Sequence, residues 1–292
     1  MEFRTLRYFL EVARTGNMTR AAENLHVTQP TLSKQIKELE GELDRQLFNR
    51  TNVGIILTEE GLLLKQRAEE IVGLERKAVT EIKSLDDVIG GDIHIGCAEA
   101  DGFKYFARIL NELQKKYPRA RYHLYSSDSA TTTDKLERGL LDFAIIAHGN
   151  IDLKKYNRAT LPTENRWGLI MRRDSELAGK AEIRREDLLG IPLICSRQGL
   201  DEELLEWLGE ISDRLNIVAT YDMMFNGSIM AREGFGSLLG YDKIIFTGEG
   251  SELCFRPLVP AQTSPMHVIW KKRRALTPIS KMLINLFAQF SK

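Results

Sequence analysis

The chain is 292 residues long, 43% hydrophobic and 28% charged, with eight prolines, which suits a folded protein of two or three domains and excludes a disordered or fibrous one. Its 41 Lys plus Arg balance 41 Asp plus Glu, and residues 1–58 hold eight bases against seven acids, a net of +1, so net charge gives no sign of a nucleic-acid partner. No run approaches the roughly 18 apolar residues of a membrane span, and Met1-Glu2-Phe3-Arg4 lacks the layout of a signal peptide, so the expected compartment is the cytoplasm and no membrane partner is expected.

Residues 1–58 read as three short helices and a small hairpin. The first helix carries Leu6, Phe9, Leu10 and Ala13 on one stripe. In the second, Thr19 is the expected N-cap and Ala21-Ala22 allow close packing. His26-Val27 makes a turn, Thr28 caps the third helix, and Pro30 falls in its first turn, where a missing donor costs little. Leu32, Ile36, Leu39 and Leu43 of that third helix fall within about 60° of one another and predict its buried stripe. Pro30, Lys34, Lys37 and Gly41 lie opposite, flanked by Thr31 and Ser33, so the outer face of its first half is small, polar and cationic. Glu38, Glu40, Glu42 and Asp44 crowd the second half. Helix-turn-helix readers point the N-terminal part of such a helix at base edges in the major groove. Residues 48–50 and 55–57 read as a two-stranded wing whose turn and Arg50 reach phosphate or minor groove. The pattern alone suits a DNA reader and an ordinary small helical domain with a solvated charged face equally well.

From residue 59 to 88 a long helix is expected. Leu64, Ala68, Ile71, Glu75, Ala78, Ile82, Leu85 and Ile89 form a heptad seam with one charged member, which predicts a dimer through this helix, or else packing of the seam on the chain's own C-terminal body. After Gly90-Gly91, strands at 92–98, 122–126 and 143–147 alternate with helices. The alternation restarts after Pro162 with strands at 166–171, 192–196 and 217–221, which predicts two α/β lobes with a mostly parallel sheet and a cleft suited to a small ligand. A strand at 268–270 and a helix at 279–290 are expected to return to the first lobe. The boundaries expected are 1–58, 59–89 and 90–292, with one lobe at about 90–161 plus 267–292 and the other at about 162–266.

Enzymatic signatures are missing: there is no His-Glu-x-x-His pair, no Gly-x-Ser-x-Gly elbow and no phosphate-cradling Gly-x-x-x-x-Gly-Lys-Ser/Thr run, and Gly234 to Gly240 reads as a turn. Cys97, Cys195 and Cys254 are odd in number and far apart, so neither a disulfide framework nor a Cys-x-x-Cys metal site is expected, and each reads as a reduced, buried hydrophobe. No enzyme activity, cofactor or metal is therefore predicted. Lys271-Lys272-Arg273-Arg274 reads as a solvated loop in preference to a second nucleic-acid patch.

The run from Thr19 through Gln29-Pro30-Thr31-Leu32-Ser33-Lys34-Gln35-Ile36, with Leu39-Glu40, Leu47-Phe48-Asn49-Arg50 and Leu57-Thr58-Glu59-Glu60-Gly61, resembles the N-terminal signature of LysR-type transcriptional regulators. Residues 136–145 and 232–236 resemble that family's ligand-domain patterns more loosely. The resemblance implies a winged helix-turn-helix, a dimerising linker helix and a two-lobed effector domain of the type II periplasmic-binding-protein fold. The partners it implies are double-stranded DNA with a pseudo-palindromic operator, a small-molecule effector, a second copy with assembly to a tetramer, and RNA polymerase. Carried across, the base-reading positions fall on Gln29, Pro30, Thr31, Ser33 and Lys34, with Lys37 and Arg50 on the backbone or wing side. Many relatives have Arg where this chain has Lys34, a point charge without the fork that reads guanine, so weaker discrimination is expected there. The implied effector site comprises Cys97, Ala98, Glu99 and Ala100, then Ser126, Ser127, Asp128 and Ser129, then His148, and Cys195, Ser196 and Arg197 from the second lobe. Helix N-termini there suit carboxylates, but Glu99, Asp101 and Asp128 bring negative charge to the same loops. They point to a neutral or amine-bearing effector with Arg197 holding any carboxylate, unless these acids only cap helices in solvent. A solute-binding protein for a transporter would share the two lobes but would need export.

Overall fold

The computed structural model describes residues 1–51, 54–83, 90–147, 151–197 and 204–290, excluding the side chains of Arg50 and residues 288–290. Contacts divide the chain into Met1–Ile82 and Lys83–Lys292.

The first unit contains α1 (Phe3–Thr15), α2 (Met18–Asn24), α3 (Gln29–Leu43), β1 (Phe48–Thr51), β2 (Gly54–Leu57) and α4 (Glu59–Lys83). Leu6, Phe9 and Val12 of α1 close on Ala21 and Ala22 of α2 and on Leu32, Ile36 and Leu39 of α3, and the Phe9 ring meets Phe48 at 5.2 Å. The α2 cap differs from expectation. The helix begins at Met18, and Asn17 Oδ1 accepts the Arg20 N–H at 3.0 Å, so Asn17, nearer the turn, outcompetes Thr19. Leu43 also departs from the predicted stripe. It is 38% exposed because α3 ends there and Asp44, in the left-handed region at φ 50°, carries the chain away.

Half of the heptad seam is engaged by the chain's own helical unit. Ala68 and Val72 are buried in its core, with Leu64 and Ile71 packed against it, and Glu75 pairs with Arg7 of α1 at 2.5 Å. Gly61 makes this docking possible, since a Cβ there would stand 2.2 Å from the Leu47 carbonyl oxygen. Further along, Val79 and Ile82 are exposed, Ile82 to 67%, and Leu62 and Leu63 are exposed near the start. The seam's Leu85 and Ile89 lie outside the described residues.

The second unit carries β3 (Gly90–Cys97), α5 (Phe103–Lys116), β4 (Arg119–Ser126), α6 (Ser129–Glu137), β5 (Phe143–Ile146), β6 (Tyr156–Arg172), β7 (Pro192–Ser196), α7 (Leu205–Leu208), β8 (Asn216–Tyr221), α8 (Met224–Arg232), β9 (Ser237–Tyr241), β10 (Leu253–Pro257), β11 (Thr263–Lys271) and α9 (Pro278–Phe290). Its strands run β4-β3-β5-β11-β6-β9-β7-β8, with β10 on β6. The sheet is mixed, in contrast to the mostly parallel one expected. β3 lies parallel to β4 and β5, and β7 to β8 and β9, whereas β6 and β11 run antiparallel to each other and to their other neighbours. The cause is that β6 and β11 are crossovers. β6 is continuous over 17 residues, pairing with β11 at one end and with β9 and β10 at the other, and the β6–β11 register shifts between Pro265 and His267. Phe106, Ile109 and Leu113 of α5 pack with Ile279, Leu283 and Phe287 of α9 over the first lobe's strands. Met224 and Ala231 of α8 cover Ile194 and Leu238 in the second.

Candidate functional site

The start of α3 is a built surface. Thr28 Oγ1 accepts the Thr31 N–H at 3.4 Å and meets Thr31 Oγ1 at 2.8 Å, so one orphan donor of the first turn is satisfied and the helix begins cleanly at Gln29. Beyond the cap, Pro30, Thr31, Lys34 and Lys37 are exposed and Gln29 and Ser33 half-buried, while Leu32, Ile36 and Leu39 lock the opposite face into the core. Lys34 Nζ stands 3.7 Å from Glu38 with its side chain 76% exposed, a weak ion pair in water that a phosphate or base edge can replace. Two of the acids in the second half are turned back on the protein. Glu40 Oε1 accepts the Leu47 and Phe48 N–H groups at 2.8 and 3.3 Å, and Glu42 holds the Met1 amino group. The wing pairs Phe48 with Leu57 and Arg50 with Ile55, and the Ile55 N–H donates to the Gly16 carbonyl at 2.8 Å, which fixes it on the α1–α2 turn. Residues 52 and 53 of the wing turn lie outside the described residues, and of Arg50 only the backbone is described.

In the second unit the carboxyl ends of β3, β4, β7, β8 and β9 converge, which is where open α/β sheets bind ligands. A chamber of about 50 Å³ there is walled by Ala98, Glu99, Ser127, Asp128 and Ser129 from one lobe and by Ser196, Tyr221, Asp222, Met224 and Tyr241 from the other, with Trp167 of β6 between them. An outer recess of about 310 Å³ shares Ala98, Glu99 and Ile244 and adds Cys97, Ala100, Asp101, Ser126 and Lys243. A larger depression of about 680 Å³ at Arg184, Trp207 and Pro260 lies away from these strand ends, and its Arg185 and Glu186 neutralise each other at 3.0 Å. The strand ends carry more weight than the volume.

The polar groups in and around the chamber are arranged as follows, Arg197 being among the lining residues of neither cavity. Asp128 caps α6, accepting the Thr131 N–H at 2.7 Å, and Ser127 Oγ meets Thr132 Oγ1 at 2.8 Å. Glu99 Oε2 crosses to the other lobe and accepts the Met224 N–H of α8 at 2.6 Å. Arg197 stands 3.5 Å from Asp222, and the Tyr221 hydroxyl donates to the Leu239 carbonyl at 2.9 Å, its pKa raised by burial. Asp101 pairs with Lys104. Cys195 is buried behind Ser196, and burial pushes the Cys97 and Cys195 thiols up to about 12. His148 lies outside the described residues.

The structure therefore brings Ala98, Glu99, Ser127, Asp128, Ser129 and Ser196 to one chamber and Cys97, Ala100 and Ser126 to its outer recess. Sequence reasoning missed Trp167, Tyr221, Asp222, Met224 and Tyr241. A usable signal existed for three of them, since Tyr221 ends a predicted strand just as Ser126 and Ser196 do, and Asp222 and Met224 follow it. Among the described residues, no group of three or more His, Cys, Asp or Glu has metal-holding geometry, and no helix is long and apolar enough to cross a membrane.

Residues 3–62 match the family described as bacterial regulatory helix-turn-helix protein, lysR family, and residues 87–291 match the LysR substrate binding domain. Among curated relatives, the nitrogen assimilation regulatory protein nac of Klebsiella aerogenes is 33% identical over 147 residues, 50% of this chain and 48% of that protein. The hydrogen peroxide-inducible genes activator of Pectobacterium carotovorum subsp. carotovorum is 30% identical over 203 residues, 68% of this chain and 65% of the relative. The match thus spans about half the length of the first of these and just under two thirds of the second. Among solved structures, full-length CbnR complexed with its target DNA superposes with a TM-score of 0.74 at 20% identity, covering all of both chains. HinK, a LysR family transcriptional regulator from Pseudomonas aeruginosa, gives 0.55 at 23% identity over 99% of this chain and 98% of that one. Both likenesses concern the fold.

Proposed function

The chain belongs to the LysR family of bacterial helix-turn-helix regulators, and from that premise we propose that it is a sequence-specific transcriptional regulator, not an enzyme, acting on double-stranded DNA in the cytoplasm. The observation that carries the proposal is α3. Its first half presents Pro30, Thr31, Lys34 and Lys37 outward from a helix whose other face is fixed in a core. Gln29, Pro30, Thr31, Ser33 and Lys34 read base edges, and Lys37 and Arg50 hold phosphate. Two copies paired through α4 place two such helices on pseudo-palindromic half-sites. Pairs of dimers form a tetramer, and RNA polymerase is the downstream partner.

The second unit supplies control. A small molecule between the lobes acts through its different affinities for alternative lobe or tetramer arrangements, and it alters the half-sites engaged by that difference alone. A peroxide response, which the Pectobacterium relative's name describes for that protein, suits this chain poorly. Cys97 and Cys195, held near 12 by burial, keep their protons at neutral pH and lack the thiolate such chemistry needs. Selection of bound sequences from random duplex DNA, with and without a metabolite pool, tests both halves together. A two-half-site consensus whose occupancy changes with the pool is expected, and no enrichment over input would remove the regulator reading.

A further inference from the structure

We infer that Glu99 sets the charge class of the effector, so that the cleft accepts a small organic cation bearing an ammonium group and turns carboxylates away. The inference rests on the cleft being the effector site. Two helices aim their N-termini at the chamber, and such termini are the general seats for anions. Both already hold a carboxylate of this chain. Asp128 occupies the start of α6. At α8 the N-cap residue Met223 supplies no side-chain cap, and Glu99 reaches over from the other lobe to accept the Met224 N–H. A carboxylate ligand entering there meets two like charges, each already accepting one backbone N–H of its helix start. Asp222 adds a third carboxylate, and Arg197, 3.5 Å from it, leaves the sum of these four groups negative. Lys243 lines only the outer recess.

What remains suits a cation. Glu99 Oε1 makes no hydrogen bond among the described residues, and an ammonium brings three donors and no acceptor. The chamber is also lined by Trp167, Tyr221 and Tyr241, aromatic residues of the kind that accompany organic cations. The chamber is small, about 50 Å³, enough for an ammonium head, with the recess of about 310 Å³ beside it for the rest of the molecule.

The test uses the full chain and four probes at equal ionic strength, ethylammonium and 1,4-diammoniobutane chlorides against sodium acetate and succinate, with binding read by calorimetry and by the thermal midpoint. Wild type is expected to bind the ammonium probes at least tenfold more tightly than the carboxylates. Glu99→Gln, nearly isosteric, should lose at least tenfold in ammonium affinity. Glu99→Ala should gain acetate binding at the vacated α8 terminus, and if that variant fails to fold, Glu99→Gln decides alone. Silence of the ammonium probes, or a charge preference unmoved by Glu99→Gln, overturns the inference. Carboxylate binding to wild type that Ser127→Trp abolishes would also overturn it while leaving the cleft as the effector site. The cleft itself fails as that site only if no probe binds and a metabolite pool leaves DNA binding unchanged.

Discussion

Arg274 is largely buried in an ion pair, although the four consecutive bases it ends read as a solvated loop. Its guanidinium lies 3.1 Å from Asp142, with the two side chains only 17% and 7% exposed, and Asp142 in turn accepts the His94 N–H at 2.7 Å. Lys271 pairs with Glu137 at 3.3 Å, and Lys272 donates to the Leu153 carbonyl at 2.6 Å. Arg274→Ala should therefore cost about 3–5 kcal/mol by taking the counter-charge from a buried carboxylate, read by chemical denaturation, with no loss of DNA affinity in the folded fraction. An unchanged stability with weakened DNA binding would make the run a nucleic-acid patch after all. Glu137 predicts a pH effect. Hydrogen bonding from Tyr156, opposed by burial and aided by Lys271, holds its carboxyl below the usual range. A carboxyl depressed in the folded state contributes stability above its unfolded pKa and loses it as pH falls through the folded one. The difference in thermal midpoint between wild type and Glu137→Gln should thus shrink as pH falls below the ordinary glutamate value of about 4.3, and a difference independent of pH would contradict the assignment. The thiols behave likewise as buried groups: Cys97 and Cys195 should resist a thiol-specific chromogenic reagent at neutral pH until the chain unfolds.

The helices of the first unit were largely legible because their periodicity and caps are local: Leu32, Ile36 and Leu39 bury as spaced, and Thr28 caps α3. What was not legible depended on competition or on long-range contact. Asn17 and Thr19 both suit a cap, and the geometry of the Gly16 turn, at φ 61°, selects Asn17. The α4 seam has a dimer's spacing, yet its first half joins the core of the chain's own helical unit, and Arg7 of α1 answers Glu75. Self-association should accordingly be sensitive to Ile82→Lys, on the uncovered stretch, and sedimentation showing an unchanged assembly would exclude pairing through that stretch. Ile71→Lys should instead destabilise the helical unit itself. In the second unit seven of the nine described strands were recognisable by composition, but β10 was not foreseen and β9 (Ser237–Tyr241) occupies residues read as part of a glycine turn; crossover strands carry no local mark either, so the antiparallel courses of β6 and β11 were hidden. The same holds for the site. Ser126–Asp128 and Ser196 were found from their own neighbourhoods, whereas Trp167 and Tyr241 reach the chamber only through the sheet order.

At the scale of the whole molecule, zero net charge leaves DNA binding to a local surface, so affinity should depend on few phosphate contacts. Lys37→Ala or Arg50→Ala should each weaken binding to all duplexes alike and lower the salt slope by about one, whereas Ser33→Ala and Lys34→Ala should mainly relax the choice of sequence. The most direct test of the central claim is interference footprinting on a selected duplex, with methylation reading guanine N7 and ethylation reading the phosphates, compared between wild type and Lys34→Ala. The account predicts two clusters of interfering guanine N7 positions, about one helical turn apart in successive major grooves, with contacts at the affected base lost in the variant and the flanking phosphate contacts kept. Interference confined to the backbone and identical in both proteins, or no duplex bound at low ionic strength, would contradict it.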